Sequence, residues 1–126
     1  MPRILSVEDD PDFQRLIEAA LNGQGFELHC AYDGLQGRDM ALAISPDLIL
    51  MDMMLPGLSG LEVIKLLKEN EATRHVPIIV LTAYPAVEGF FESEVKSHGA
   101  SLYMRKPVHF DTLTKVIRRL LESPVR

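Results

Sequence analysis

Four apolar runs in this chain each end in a side chain that can take part in acid–base or ionic chemistry. Residues 4–7 (ILSV) lead into Glu8, Asp9 and Asp10; residues 48–51 (LILM) lead into Asp52. The run VPIIVL ends in Thr82, and a short run over residues 101–104 is followed by Lys106 and Pro107. A carboxylate at the lip of an apolar run is costly to keep dry. Gathered on one edge, such carboxylates repel, and at least one is driven towards its neutral form unless a cation joins them. A small all-oxygen ligand set favours a hard divalent ion, and Mg²⁺ retaining several waters is the usual solution. That site suits phosphoryl transfer, where the protein chiefly positions groups and neutralises charge. A carboxylate can itself be the nucleophile and become an aspartyl phosphate. Lys106 would then act as a point charge on one phosphoryl oxygen, and the Thr82 hydroxyl would donate to another.

The runs must lie side by side for this to happen, and their spacing predicts that they do. Arg3–Val7 reads as a first strand, and Asp10-Pro11 as the N-cap and first residue of a helix. Phe13, Leu16, Ile17, Ala20 and Leu21 recur at the spacing of one helical face, and Gly23 and Gly25 stop it. Phe26–Tyr32 reads as a second strand; Asp33-Gly34 opens a second helix that ends before Ser45-Pro46. Asp47–Met51 is the third strand, and a third helix runs from about Ser59 to Asn70 with Leu61, Ile64 and Leu67 on its buried side. Val76–Thr82 is the fourth strand, with Pro77 tolerable near its start. Ala86–His98 reads as a fourth helix ended by Gly99, and Ser101–Met104 as a short fifth strand. The last helix starts near Phe110, carries Leu113, Val116, Ile117, Leu120 and Leu121 on one face, and ends at Ser123-Pro124. Five β–α alternations with nearly continuous apolar strands call for a doubly wound α/β fold, a parallel sheet with five helices on its two faces. In such a sheet ligands bind beyond the carboxyl ends of the strands. That edge is where Glu8, Asp9, Asp52, Thr82 and Lys106 stand.

Composition narrows the alternatives. The 126 residues suit one domain: residues 1–122, with 123–126 as a tail or the start of a linker. A net charge of −5 and the lack of a basic stripe argue against direct nucleic-acid binding. Lys115, Arg118 and Arg119 read as a solvated helix face. Cys30, the one cysteine, excludes a disulfide and reads as a small buried residue in a reducing compartment. No secretory leader and no membrane-spanning run is visible, so a cytoplasmic location is expected. The four histidines show no ligand spacing. Met51, Met53 and Met54 read as core and loop packing. Asp10 is better explained as a helix cap than as a ligand. Asp52 stands too far from the Pro56-Gly57 turn, read as type II with glycine in the left-handed position, to serve as its starter.

The pieces ILSVEDD, LILMDMMLPGLSG, PIIVLTA and YMRKP, in this order, closely resemble response-regulator receiver domains, from about Ile4 to Leu121. The resemblance implies a flavodoxin-like sheet of order 2-1-3-4-5. It implies Asp52 as phosphoacceptor, Asp9 as a direct Mg²⁺ ligand, Glu8 acting through water and the Met54 backbone carbonyl as a further ligand. Thr82 would be the switch hydroxyl, Lys106 the phosphate-pairing lysine, Tyr103 the aromatic switch residue, and the Lys106–Pro107 bond cis. The partners implied are a histidine kinase or a histidine phosphotransfer protein, then an output domain or downstream protein, with phosphorylation-dependent homodimerisation as a further association. The chain would be a switch, not an enzyme in the usual sense. It would catalyse its own phosphorylation and slow dephosphorylation, altering the surface of the fourth helix, fifth strand and fifth helix.

Two departures stand out. The step from Thr82 to Lys106 is longer than the family's usual spacing by about two residues, with the extra length placed in Tyr84–Glu94. Met54 and Tyr84 occupy positions that gate water and phosphodonor access in the family, and their bulk implies slowed hydrolysis. Two rivals remain: a pseudo-receiver that only binds partners, and a haloacid-dehalogenase-like phosphatase. The phosphatase family wants an acidic residue two positions after the nucleophile, where this chain has Met54.

Overall fold

The computed structural model describes residues 1–83 and 96–122. Strand β1 (Arg3–Val7) leads into α1 (Pro11–Leu21), β2 (Glu27–Ala31) into α2 (Gly34–Ile44), and β3 (Leu48–Met51) into α3 (Gly60–Glu69). Strands β4 (Ile78–Thr82) and β5 (Leu102–Arg105) precede the C-terminal helix α4 (Phe110–Glu122). All strand pairs are parallel, in the order β2-β1-β3-β4-β5. The described residues thus form four helices, not the five expected. Most of the helix expected over Ala86–His98 lies outside the described residues, as do Tyr84 and the tail 123–126. Lys96 and Ser97 are helical, and Gly99, at φ 118°, follows them.

Strand alternation divides the core in two. Leu5, Val7, Ile49, Met51, Ile78 and Val80 point to the face covered by Ala41 of α2 and Val63, Ile64 and Leu67 of α3. Ile4, Leu48, Leu50, Ile79 and Leu81 point to the other face, against Ile17 and Leu21 of α1 and Leu113 and Ile117 of α4. Every residue of β3 and β4 is buried, because helices cover both sides of the sheet.

The helix starts follow local chemistry. Asp10 accepts from the Asp12 N–H at 2.9 Å, with Pro11 at the first helical position. Asp33 accepts from the Gln36 N–H at 2.7 Å. Ser59 and Glu62 form a reciprocal capping box at the start of α3.

Some expected faces need correcting. Leu16 is 53% exposed, whereas Gln14 is buried. The Gln14 Nε2 group donates to the Ser6, Ala31 and Glu8 carbonyls at 3.0, 3.0 and 3.2 Å, so a polar side chain ties α1 to the ends of β1 and β2. Cys30 is half-buried, not buried, because β2 is an edge strand. Strand ends differ by a residue or two from expectation, mostly where a flanking residue lies outside the ladder.

The loop from β3 to α3 is fixed by two glycines. Gly57 adopts φ 76°, the left-handed position expected after Pro56. Gly60 touches backbone: a Cβ built there lies 2.2 Å from the Asp52 carbonyl oxygen and 2.8 Å from the Met53 Cα. Replacing Gly60→Ala must push α3 away from the strand end that carries Asp52. We expect a loss of about 1–3 kcal/mol of unfolding free energy, read from the urea midpoint at unchanged denaturant slope.

Candidate functional site

The carboxyl edge of the sheet carries the site. Asp52 follows β3 directly, and its N–H donates to the Val7 carbonyl at 3.0 Å, extending the β1–β3 pairing by one residue. Its side chain is buried; one carboxylate oxygen accepts the Met54 N–H at 3.1 Å and the other faces the Lys106 Nζ at 3.4 Å. Glu8 occupies the same level after β1, where its N–H donates to the Ala31 carbonyl at 3.0 Å. Only 3% of Glu8 is exposed. One of its oxygens accepts the Asp10 N–H at 3.0 Å, and the other pairs with the Lys106 ammonium. Asp9, beside them, is exposed. Glu8, Asp9 and Asp52 each place an oxygen within 4.8 Å of the others.

Burial pushes the Glu8 carboxyl up to about 7. The Lys106 ammonium and the Asp10 N–H pull it down, and the Asp52 charge pushes it up further, so desolvation prevails. Burial also acts to lower Lys106, but the facing Glu8 and Asp52 carboxylates outweigh it and the net shift is upward. The ammonium therefore stays charged while Glu8 is close to balance between its two forms. One exposed and two buried carboxylates make an all-oxygen set that fits a hard divalent cation, which would relieve the cost of ionising Glu8.

The other expected residues fall around this centre. Lys106 follows β5, its N–H donates to the Thr82 carbonyl at 3.0 Å, and the Lys106–Pro107 bond is cis. Thr82 ends β4 and is fully buried. Tyr103 lies in β5 opposite Val80 and packs, partly buried, against the core on the α2–α3 face. Met51 and Met53 are core residues as expected, but Met54 is 55% exposed: its backbone holds Asp52 while its side chain faces outward.

Sequence reasoning missed two contributors. Gln14 anchors the Glu8 backbone from α1, and only a polar residue on an apolar helical face signals it. Phe13 packs against the core as its helical face predicts, and its ring centroid also lies 4.1 Å from the Lys106 Nζ, a contact that helical spacing alone does not signal.

A family model described as the response regulator receiver domain matches residues 4–118. The polar-differentiation response regulator DivK of Brucella ovis is 36% identical over 118 residues, covering 94% of this chain and 94% of DivK. The DNA-binding dual master transcriptional regulator RpaA of Synechocystis sp. is 34% identical over 126 residues, all of this chain and 52% of RpaA. The chain thus spans about half the length of RpaA and nearly all of DivK. Among solved structures, the receiver domain of the sensor histidine kinase PA1611 from Pseudomonas aeruginosa superposes with a TM-score of 0.86 at 36% identity, over 97% of this chain and 98% of that domain. That structure holds a magnesium ion coordinated in its active-site cleft. The chemotaxis protein CheY4 of Vibrio cholerae gives a TM-score of 0.87 at 27% identity, over 95% of this chain and 98% of CheY4.

A cation binding at Glu8 must displace a proton below pH 7. Mg²⁺ affinity, measured by calorimetry, should rise as pH increases through about 7 and level off above it. For the metal-free fold the sign is opposite. The raised carboxyl value stabilises most below the ordinary value of 4.5, and that contribution is lost as pH rises through about 7. Glu8→Gln should weaken Mg²⁺ binding and flatten this slope; an unchanged slope would assign the proton to another group.

Proposed function

The chain belongs to the response regulator receiver family, and we propose that it is a phosphorylation-dependent switch with Asp52 as its phosphoacceptor. The observation that carries this reading is the placement of the Asp52 carboxylate. It stands at the open end of β3 with one oxygen held by a backbone N–H, the other beside an ammonium, and two further carboxylates next to it.

The donor is a phosphohistidine on a histidine kinase or a histidine phosphotransfer protein. An Asp52 oxygen attacks phosphorus, a P–O bond forms, and the P–N bond to imidazole breaks with its electron pair leaving on the ring nitrogen. The Met54 N–H keeps the carboxylate oriented for this approach. Lys106 already lies between Glu8 and Asp52 and needs only to turn its N–H groups to meet a phosphoryl oxygen. Glu8, Asp9, Asp52 and the Met54 carbonyl are the groups that would hold Mg²⁺, which when bound supplies positive charge to the transferring oxygens.

The response runs through side chains behind the site. Thr82 ends β4 and Tyr103 lies in β5, and the surface that responds is that of the helix expected over Ala86–His98 together with β5 and α4. The new charge draws the Thr82 hydroxyl forward, Tyr103 moves inward behind it, and that surface changes its preferred partner, whether an output domain, a downstream protein or a second copy of the chain. The chain acts in the cytoplasm, as a switch that catalyses only its own phosphotransfer and slow dephosphorylation. Among the described residues no helix is long and apolar enough to cross a membrane.

Incubation with acetyl phosphate and Mg²⁺ tests the proposal by intact-mass spectrometry. We expect a gain of one phosphoryl group, abolished by Asp52→Asn and by chelation of the metal. Turnover of a phosphomonoester without a stable adduct would indicate a phosphatase. Absence of any modification would indicate a module that only binds partners.

A further inference from the structure

The Lys106 ammonium is enclosed on three sides. Glu8 and Asp52 face it with carboxylate oxygens, and the Phe13 ring lies over it with the centroid 4.1 Å from Nζ. Phe13 comes from the first turn of α1, and its ring is braced by Phe110 at the start of α4, the centroids 6.2 Å apart and the planes tilted by 42°. Pro107, Val108, Leu16 and Ala83 complete a shallow apolar hollow around the two rings. Only 18% of the Lys106 side chain remains exposed.

We propose that Phe13 is a positioning residue of the phosphoacceptor site. Its ring holds the Lys106 ammonium against Asp52 and lets it turn from Glu8 to a phosphoryl oxygen without leaving. The inference rests on the reading of Asp52 as phosphoacceptor. Its physical basis is the difference between a ring face and a hydrogen-bond acceptor. An ammonium has three N–H donors, and an oxygen on its third side would fix one of them. The ring face attracts the whole cation through its quadrupole and sets no N–H direction. It therefore keeps water from that side, retains the charge at the site and leaves the donors free to reorient. An aliphatic residue of similar size would fill the space without attracting the charge.

The test uses the full chain with Phe13→Leu and Phe13→Tyr. In metal-free protein, NMR of the Lys106 side chain, assigned by its loss in Lys106→Arg, should show its ε-methylene protons shifted upfield by the ring. The shift should persist in Phe13→Tyr and vanish in Phe13→Leu. With acetyl phosphate as a donor too small to dock on the hollow, Phe13→Leu should lower the maximal phosphorylation rate by about 2- to 30-fold. The half-saturating donor concentration should not change, and Phe13→Tyr should restore the rate. An unshifted Lys106 in the wild-type protein overturns the proposal, as does a Phe13→Leu protein phosphorylated at the wild-type rate. A wild-type protein that accepts no phosphoryl group overturns the phosphoacceptor reading instead, and a ring-shifted Lys106 in that protein still supports the placement by Phe13.

Discussion

Everything at the carboxyl edge of the sheet answers to one imbalance. Glu8 and Asp52 are both almost fully buried and face a single ammonium. Two buried negative charges cannot be held by one positive charge without a cost in desolvation. Burial drives Glu8 towards its neutral form, while Lys106 is held charged by the same neighbours. The edge is short of positive charge, and it can be balanced by a proton on Glu8 or by a divalent cation shared with Asp9. A phosphoryl group on Asp52 would enlarge the deficit, which is why cation and phosphoryl group belong together in the proposed reaction.

The scaffold keeps this imbalance in place instead of letting it relax. Backbone hydrogen bonds carry the parallel pairing one residue past β1 and β3, so Glu8 and Asp52 are fixed by the ladder itself. Gln14 fastens the Glu8 backbone from α1. Gly60 lets α3 start in contact with the Asp52 carbonyl, closing off the space into which the strand end would otherwise retreat. The charged groups differ in freedom. The Asp52 carboxylate is held by a backbone N–H, whereas Lys106 reaches the site on a long side chain that can turn.

Much of this was legible from residue order. Apolar runs that end in Glu8, Asp52, Thr82 and the residues before Lys106 imposed the parallel sheet, and the parallel sheet brought those residues to one edge. The capping residues Asp10, Asp33 and Ser59 announced the helix starts because their side chains act over only two or three residues. The misreadings share a cause. Periodicity treats Phe13, Leu16 and Ala20 as equivalent members of one face, but only Ile17 and Leu21 of that face are fully buried against the sheet. Residues near the start of α1 meet the site, and Leu16 meets solvent. Gln14 takes a buried place because its amide reaches three carbonyls there, an opportunity set by the ends of two strands distant in sequence. Met54 looked like packing because its neighbours are, yet the chain turns outward at that residue while its backbone N–H turns in.

The backbone around Lys106 limits how the proposed switch can transmit a signal. The residue that offers its ammonium to Asp52 is tied through its own N–H to the carbonyl of Thr82 at 3.0 Å. Strands β4 and β5 pair from Ile79–Leu102 to Thr82–Arg105, so the ladder is continuous up to that bond. Pulling the Lys106 head towards a phosphoryl oxygen therefore does not slide β5 along β4 unless several hydrogen bonds break together. The cheaper response is rotation of side chains about a fixed sheet. Thr82 and Tyr103 stand on these two strands, Thr82 at the site edge and Tyr103 opposite Val80. A rigid ladder with movable side chains at its end and on its face would, in the proposed switch, convert added charge into altered surface shape without unfolding an element.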